Sequence, residues 1–464
     1  MPLPRKPGKK GRNSRGSKST AKQKDSAEGI TGISVRGYKS LAEESNIEIR
    51  PLTILAGANS SGKSSAIQPL LLLKQTLEAT YDPGALLLHG PNVRFTDAHQ
   101  LLSRVPGQPA GNAFSINLRT EQGDLRLLFR KPEKKPFELR EMAYQSAKSS
   151  DGSITLRPGM SHKRILSVIP KGFDNLRASL AKRSKRKVQW RVFGERCFLT
   201  FGLDLSRGKR KEYLPLALGP SGIYEGHVRG VIHVPGLRGN PERTYTTTRI
   251  GQTFHGTFEN YVASVINHWQ NAKDKRIKEL EKVLELLGLT WRIEAKQIDD
   301  AHVELRVGRT VAKPKGGARD LVNIADTGFG VSQVLPVLVA LLTAKHGQLV
   351  YLEQPEIHLH PRAQVALAKV LADAAKRGVR VVAETHSAIL LLAIQTLVAK
   401  GFISPEIIKL HWFKRRPQDG ITDVISADVD DVGAFGEWPE DFADVAIAAE
   451  SDYLDAVEAR RGAR

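Results

Sequence analysis

The stretch Gly57-Ala58-Asn59-Ser60-Ser61-Gly62-Lys63-Ser64 decides the fold of this chain. It fits the phosphate-binding pattern G-x-x-x-x-G-K-[ST] without a mismatch. The apolar run 52–55 before it predicts a strand, and a helix is predicted over residues 63–79. In such a strand–loop–helix unit, curled backbone N–H groups and the positive end of the helix bind phosphate. We therefore expect ATP here, with Lys63 at the β- and γ-phosphates and Ser64 at Mg²⁺.

Two later apolar runs end in polar residues that a nucleotide site would use. Residues 349–352 lead into Glu353, which is followed by Gln354-Pro355-Glu356-Ile357-His358-Leu359-His360-Pro361. Residues 379–383 lead into Glu384-Thr385-His386-Ser387. The carboxyl ends of parallel strands form the ligand-binding edge of a sheet. The pattern predicts Glu353 as a Mg²⁺ ligand and His386 as a contact of the γ-phosphate.

A second glycine turn precedes a predicted helix at Asp326-Thr327-Gly328-Phe329-Gly330-Val331-Ser332-Gln333. Ser332 is the predicted N-cap, Pro336 is placed in the first turn, and the helix is expected to run through Leu342. Such a helix start is another anion-binding site. A chain with one phosphate-binding loop needs it only if it serves a nucleotide bound to a partner; the alternative is an ordinary capped core helix.

The composition indicates a reduced protein that carries a large excess of positive charge. The 464 residues include 70 Lys or Arg, 49 Asp or Glu and a single cysteine, Cys197. One cysteine excludes a disulfide-stapled secreted domain, so we expect a cytoplasmic protein. The longest apolar run, 334–344, is shorter than the ~18 residues of a membrane span, so no membrane association is expected. Residues 1–28 predict a disordered basic tail. For this tail and the basic run 182–187, DNA or RNA contact and simple solvation both remain open.

The order of these motifs resembles the ABC-type ATPases of the SMC/RecF/OLD group. The likeness is greatest to OLD-like AAA ATPases of prokaryotic defence islands, and two further segments contribute to it, 233–245 and 435–440. The resemblance implies an α/β P-loop NTPase with an ABC-type head, a mixed sheet flanked by helices, interrupted by an α+β insertion. It also implies ATP and Mg²⁺ as cofactors, and two ATP molecules between two heads in a homodimer or higher homo-oligomer.

Roles are carried over from the family by position. Residues 57–65, including Ser65, resemble the Walker A motif, and Glu353 and His386 resemble the Walker B acid and the switch histidine. The signature loop, which acts on the partner's ATP, is resembled by Gly330, Ser332 and Gln333. In the wider group, a second carboxylate follows the Walker B acid, whereas this chain has Gln354. An amide cannot accept a proton, so we expect either Glu356 to substitute or hydrolysis to be slow.

The predicted organisation is a basic tail (1–28), an N-terminal ATPase lobe with Walker A (29–130), an insertion region (131–300) and a C-terminal ATPase lobe (301–464). Residues 387–464 leave too little chain for an added Toprim nuclease domain. The leading hypothesis is an ATP-dependent dimeric switch that senses nucleic acid or a foreign protein and controls a separate effector in antiphage defence. The alternative is a RecF/SMC-type DNA-repair or recombination clamp. A P-loop kinase would leave the signature and His-switch motifs unexplained.

Overall fold

The computed structural model describes residues 29–148, 152–169, 173–184, 188–206, 212–215, 221–314, 320–436 and 451–457. The predicted tail 1–28 and residues 437–440 of the C-terminal segment lie outside this part of the chain. The strands are β1 (Ile30–Arg36), β2 (Ser45–Glu48), β3 (Leu52–Gly57), β4 (Ala113–Thr120), β5 (Gly123–Arg130), β6 (Glu138–Ser146), β7 (Ser153–Leu156), β8 (Gln189–Glu195), β9 (Phe198–Asp204), β10 (Tyr213–Pro215), β11 (Ile232–Val234), β12 (Tyr245–Thr246), β13 (Ile293–Gln297), β14 (His302–Gly308), β15 (Leu321–Asn323), β16 (Leu349–Glu353), β17 (Arg380–Thr385), β18 (Ile408–Arg415) and β19 (Thr422–Ala427). The helices are α1 (Lys63–Glu78), α2 (His162–Leu166), α3 (Phe173–Ser184), α4 (Ser221–Arg229), α5 (Val262–Asn271), α6 (Arg276–Leu286), α7 (Phe329–Thr343), α8 (Pro361–Lys376) and α9 (Ala388–Ala399).

The sheet that carries the phosphate-binding loop has the strand order β11-β16-β17-β3-β18-β19. All of its pairs are parallel except β18–β19. Strand β3 is buried throughout: Leu52, Ile54 and Ala56 belong to one hydrophobic core, and Leu55 belongs to a second core on the other face. Burial on both faces explains why β3, β16 and β17 read as almost continuous apolar runs.

An antiparallel sheet, β2-β1-β4-β5-β6-β7, covers the second core together with α1. The alternation that predicts a hairpin at 113–130 is confirmed, because Phe114 pairs with Phe129 and Leu118 with Leu125 across β4 and β5. Strands β6 and β7 continue this sheet past residue 130. Two further antiparallel sheets, β10-β9-β8 and β12-β14-β13 with β15 paired to β14, come from the part of the chain between β3 and β16. The predicted fold class, an α/β P-loop head with an α+β insertion, is confirmed.

Residues 255–288, whose apolar spacing predicts helix, form the two helices α5 and α6, and Lys273, with a φ of 52°, lies in the turn between them. The predicted start of α7 is wrong. Helix α7 begins at Phe329 with Gly328 as its N-cap, so Ser332 lies inside the helix and Pro336 is beyond the first turn. The Ser332 hydroxyl donates to the Phe329 carbonyl oxygen at 3.0 Å instead of capping free N–H groups. Within the described residues, none of the helices is both long and apolar enough to span a membrane.

Candidate nucleotide site

The phosphate-binding loop lies between β3 and α1, and its backbone requires glycine at both ends. Gly57 has a φ of 146°, and a Cβ atom there would lie 2.4 Å from the Phe413 carbonyl oxygen. Gly62 has a φ of 102°, and a Cβ atom there would lie 2.7 Å from Ser40 Oγ. Positive φ and lack of space both exclude larger residues. The loop therefore has the tight curl that exposes backbone N–H groups to an anion.

The loop between these glycines presents polar groups at its tip. Ala58, Asn59 and Ser60 are exposed. Ser61 is buried, and its hydroxyl has no hydrogen-bond partner among the described residues. Ser65 is buried in the first turn of α1. The exposed tip and the unpaired hydroxyl leave the loop with hydrogen-bonding capacity that a phosphate group would use.

Lys63 is folded back over the loop. Its ammonium donates to the carbonyl oxygens of Gly57 at 3.1 Å and Ala58 at 2.8 Å. Burial lowers the pKa of Lys63, and the nearby carboxylates of Glu384 and Glu356 act in the opposite direction. Neutral carbonyl groups are its only hydrogen-bond acceptors within the described chain, so the positive charge remains at the loop.

A polar cavity of about 860 Å³ opens beside the loop. Its volume lies within the ~300–1,000 Å³ range of small-molecule sites. Gln354, Glu384 and His386 line it from the carboxyl edge of the sheet. Glu353, by contrast, is not among the described lining residues. The wall away from this edge includes Lys39, Gln68, Asp97, His99, Gln100 and Arg104, whereas Arg415 lines the cavity from the end of β18.

The Walker B candidate Glu353 is held on the side of β11. One carboxylate oxygen is 3.1 Å from His233 Nε2, and the other accepts from the Gly236 N–H at 3.0 Å. Burial alone would raise the pKa of Glu353, but the hydrogen bonds with His233 and Gly236 and the nearby Arg238 lower it below its usual value. Glu353 is therefore a stabilised carboxylate, and both of its oxygens already have partners.

Glu384, which pattern reasoning does not assign, makes the contact with the metal-ligand candidate Ser64. The Ser64 hydroxyl donates to one Glu384 oxygen at 2.9 Å, and the Tyr351 hydroxyl donates to the other. Burial and the charge of Glu353 raise the pKa of Glu384 to about 7. A cation in the cavity would favour its ionised form. Hydroxyl and carboxylate oxygens are the ligand types that Mg²⁺ prefers, so this edge of the cavity fits that ion.

Glu356 lies behind the cavity wall and positions the switch-histidine candidate. It is buried, and one of its oxygens accepts from the Thr385 hydroxyl at 2.5 Å and from the His386 N–H at 3.2 Å. Its other oxygen has no partner among the described residues, and burial raises its pKa. Burial and the nearby Lys63 lower the pKa of His386, which keeps its imidazole neutral near pH 7.

Gln354 faces the cavity from a strained backbone. Its φ is 43°, an unusual value for a residue other than glycine. Its N–H donates to the Glu384 carbonyl at 2.9 Å, and its carbonyl accepts from the Arg238 guanidinium at 3.2 Å. Such strain persists only where surrounding contacts hold it, and it is concentrated at functional sites. The Gln354 side chain is thus held at the carboxyl edge of the sheet, where it lines the loop cavity.

Arg238 ties the Walker B edge to the helix that carries the signature candidates. Its buried guanidinium donates to the carbonyl oxygens of Gln333 at 2.8 Å and Glu353 at 2.8 Å. Burial lowers its pKa to about 10. The Gln333 side chain is also buried and donates to the Gly239 carbonyl at 3.1 Å. The structure therefore turns Gln333 inward, away from any partner.

Gly330 and Ser332 are the members of the signature candidate that remain partly exposed. They lie in the first turn and a half of α7 and are absent from the described lining of the loop cavity. The structure thus brings the loop, Gln354, Glu384 and His386 together, but it places the signature candidates elsewhere. Their role on a partner's nucleotide stays a prediction.

Sequence reasoning missed the contacts of His233, Arg238, Tyr351 and Glu384. The signal for Glu384 is present in the sequence, because it ends the apolar run before His386 just as Glu353 ends the run before Gln354. Tyr351 interrupts an otherwise aliphatic strand, which also marks it. His233 and Arg238 fall in the segment 233–245 that contributes to the family resemblance, but no local pattern gives their partners Glu353 and Gln333, which are more than 90 residues away along the chain.

Comparison with known proteins gives a partial match. Residues 238–393 match the family described as AAA domain, putative AbiEii toxin, Type IV TA system. No curated protein matches the chain by sequence. Among solved structures, the Smc head bound to the C-winged helix domain of ScpA is 12% identical, with a TM-score of 0.44 and coverage of 86% of this chain and 98% of that one. The SMC head domain from Thermotoga maritima is 11% identical, with a TM-score of 0.38 and coverage of 86% and 99%.

The family match covers the signature, Walker B and His-switch candidates, and the loop between β3 and α1 supplies the missing Walker A half. Together they support an AAA/ABC-type P-loop ATPase. That class uses a nucleotide and generally Mg²⁺.

Proposed function

We propose that this protein binds and hydrolyses Mg²⁺-ATP and uses ATP to assemble a dimeric switch that controls a separate effector. The observation that carries the proposal is a single polar cavity lined by the loop, Gln354, Glu384 and His386. A loop lysine, a loop serine and a carboxylate are groups that P-loop NTPases place around a triphosphate. The neutral imidazole of His386 is positioned to contact the terminal phosphate.

Each group has a defined task in this proposal. Residues 57–65 bind the phosphates through backbone N–H groups, and Lys63 adds positive charge. Bound Mg²⁺, held through Ser64 and the acids of the strand ends, supplies charge neutralisation at the phosphates. Gln354 orients water, and His386 contacts the terminal phosphate. Because Gln354 cannot take the proton of that water, turnover is slow and the ATP-bound state is long-lived.

The proposed dimer uses the exposed N-terminal end of α7. Gly330 and Ser332 are partly exposed and do not line the described cavity of their own chain. The start of a helix attracts anions, so this end suits the nucleotide of a second copy. The proposed dimer therefore contains two ATP molecules, each contacted by the loop of one subunit and by α7 of the other.

The proposed setting is the cytoplasm and the proposed role is defence against phages. The matching family's description names a putative toxin of a type IV toxin–antitoxin system, which supports a link between this ATPase type and an effector. The trigger is nucleic acid or a foreign protein, and the basic composition supports an anionic partner. Lys182 and Arg183 at the end of α3 are exposed and suit such a contact.

The test measures molecular mass by size-exclusion chromatography with light scattering in ATP, in ADP and without nucleotide. We expect the wild type to form a dimer in ATP but not in ADP or without nucleotide. The mass of Lys63→Ala should be the same under all three conditions. Lys400→Ala, an exposed change at the end of α9, is the matched control and should behave like the wild type. A mass that is the same with and without ATP would contradict the proposed switch, and absence of ATP hydrolysis would contradict the proposed reaction.

A further inference from the structure

Glu353 and Glu384 are direct neighbours that end two parallel strands, yet they face different partners. The register pairs Glu353 on β16 with Glu384 on β17. Both Glu353 oxygens are engaged by His233 and Gly236, toward the β11 side of the sheet. Glu384 is 4% exposed, and its contacts are the hydroxyls of Ser64 and Tyr351. The two acids are therefore not equivalent around the loop.

The strand order explains this difference. Strand β17 lies between β3 and β16, so Glu384 is on the strand adjacent to the loop-bearing strand. Glu353 is one strand farther away, and each strand adds about 4.8 Å. Glu384 also lines the loop cavity, whereas Glu353 is not among the described lining residues. Position, burial and hydrogen bonding thus all place Glu384 nearer to Ser64.

We propose that Glu384 is an acidic member of the Mg²⁺ site, where it holds the Ser64 hydroxyl and supplies negative charge to the ion. A hydroxyl that ligates a cation keeps its proton and must donate it, and Glu384 is the acceptor in hydrogen-bond contact at 2.9 Å. Tyr351 fixes the other Glu384 oxygen. Glu353 acts from one strand away, through its bonds to His233 and Gly236. This inference rests on the proposed binding of Mg²⁺-ATP.

A purely structural role for Glu384 predicts something different. If Glu384 only ties α1 to β17 through Ser64, an amide of the same shape would preserve that link. Glu384→Gln keeps the shape and an oxygen acceptor for Ser64, but it removes the charge. The structural role therefore predicts wild-type Mg²⁺ affinity in Glu384→Gln, whereas the proposed role predicts weaker Mg²⁺ binding.

The experiment measures the affinity of the full chain for a fluorescent ATP analogue, first in EDTA and then across a Mg²⁺ titration. We expect Glu384→Gln to weaken Mg²⁺ binding to the nucleotide complex roughly 10- to 100-fold, the usual cost of losing a group that orients a metal ligand. Its nucleotide affinity in EDTA should stay within about threefold of the wild type, since that state lacks the ion. Glu353→Gln, the matched control, should have the smaller effect on Mg²⁺ affinity.

Tyr351→Phe provides a second variant if Glu384→Gln does not fold, because it removes one hydroxyl and leaves the carboxylate in place. Tyr351→Phe should weaken Mg²⁺ binding less than Glu384→Gln does. It should leave the nucleotide affinity in EDTA unchanged. Mn²⁺ in place of Mg²⁺ gives an independent readout, because the electron paramagnetic resonance spectrum of bound Mn²⁺ should change in Glu384→Gln.

Three results would overturn the inference: wild-type Mg²⁺ affinity in Glu384→Gln, an equal loss of nucleotide affinity with and without Mg²⁺, or a larger loss in Glu353→Gln. Failure of the wild type to bind the analogue under any condition is a separate result. It would remove the proposed function itself, and the inference with it.

Discussion

The chain contains two helix starts that follow glycine turns, and they differ in what surrounds them. The α1 start is enclosed: Gly62 has a φ of 102° and is packed against Ser40 and Thr422, and Lys63 and Ser64 face a polar cavity. The α7 start is open: Gly328 has a φ of −64°, and a Cβ atom there would meet nothing within 4 Å in the described structure. The similar sequence signals produce one helix start that other parts of the chain enclose and one that they leave open.

The difference lies in neighbouring strands and not in the helices themselves. The α1 start has β17 and β18 on either side of its strand, and Glu384, His386 and Arg415 follow from them. Phe329 at the α7 start is 52% exposed, and Ser332 bonds within its own helix. A helix start attracts anions. In the proposed dimer, the nucleotide bound by a second copy contacts this open helix start.

The largest expected effect is the difference in ATP affinity between Gly62→Ala and Gly328→Ala. Gly62→Ala combines the wrong φ with contacts of 2.7 Å to Ser40 Oγ and 2.9 Å to Thr422 Oγ1, so the loop must change shape. Strain of this kind costs roughly 1–3 kcal/mol, and we expect ATP affinity to fall by up to about 100-fold. Gly328→Ala is the matched control, because its backbone and surroundings accept a methyl group. ATP titration calorimetry on both variants measures the difference.

Equal loss of ATP affinity in both glycine variants would contradict the distinction between a closed and an open site. Equal retention would show that the α1 loop tolerates a side chain, and the assignment of the phosphate site would then be wrong. Thermal unfolding of both variants separates a loop effect from general loss of folded protein.

A second, smaller effect concerns the open helix start. Ser332→Arg places a long cationic side chain where the proposed partner nucleotide approaches, without touching the described loop cavity. We expect ATP binding to the single chain to persist and ATP turnover to fall roughly 30-fold, the scale of disrupting a central interface residue. Light scattering in ATP should show monomers. Wild-type turnover in Ser332→Arg would mean that hydrolysis does not require this surface.

A third effect tests the polar edge of the closed site. Gln354→Glu introduces the carboxylate that a general base needs, at a position whose strained backbone already holds the side chain in place. We expect steady-state turnover to rise about 10-fold, below the ~10²–10⁴ of an optimised base. Gln354→Ala should lower it. Wild-type turnover above about 10 s⁻¹, the enzyme median, that is lost in Gln354→Ala but kept in Glu356→Ala would contradict slow hydrolysis.

The sequence predicts the loop of the closed cavity and its flanking strand and helix well, because their signal is local. The loop, the strand before it and α1 are contiguous, and buried parallel strands leave continuous apolar runs such as those before Glu353 and His386. The predicted start of α7 is wrong, because Gly328 is the N-cap without a side-chain hydrogen bond, whereas Ser332, four residues later, offers a more familiar capping side chain. Sequence alone therefore places the α7 helix but not its first turn.

The contacts of the acids could not be predicted from the sequence. The partners of Glu384 come from α1 and β16, and those of Glu353 come from β11 and from the segment after it. Which acid faces Ser64 depends on β17 lying between β3 and β16, and strand order is a property of the assembled sheet. Local pattern places a carboxylate at the end of each strand but assigns a role to Glu353 alone, and only the topology separates their environments.

The smallest expected effect concerns pH and the closed half of the molecule. His411 on β18, beside the loop-bearing strand, is fully buried, and its ring nitrogens contact Ser426 Oγ and the Glu48 carbonyl, both at 2.8 Å. Burial, with Lys409 nearby, lowers its pKa to about 4. Because the folded pKa lies below the unfolded value of ~6.5, this histidine stabilises the fold above pH ~6.5, and the contribution is lost as pH falls toward 4.

Between pH 7.5 and pH 6 this linkage should lower the free energy of unfolding by about 1 kcal/mol. Urea unfolding at the two pH values measures the change. His411→Gln is the control, because a glutamine offers polar atoms to the same partners and does not titrate. Between these pH values, the free energy of unfolding of His411→Gln should fall by about 1 kcal/mol less than that of the wild type. An unchanged pH dependence in His411→Gln would assign the acid sensitivity to other groups. Because β18 is adjacent to the loop-bearing strand β3, acid destabilisation of β18 would affect β3 directly. Nucleotide affinity should then decrease as the pH falls, before the α7 helix unfolds.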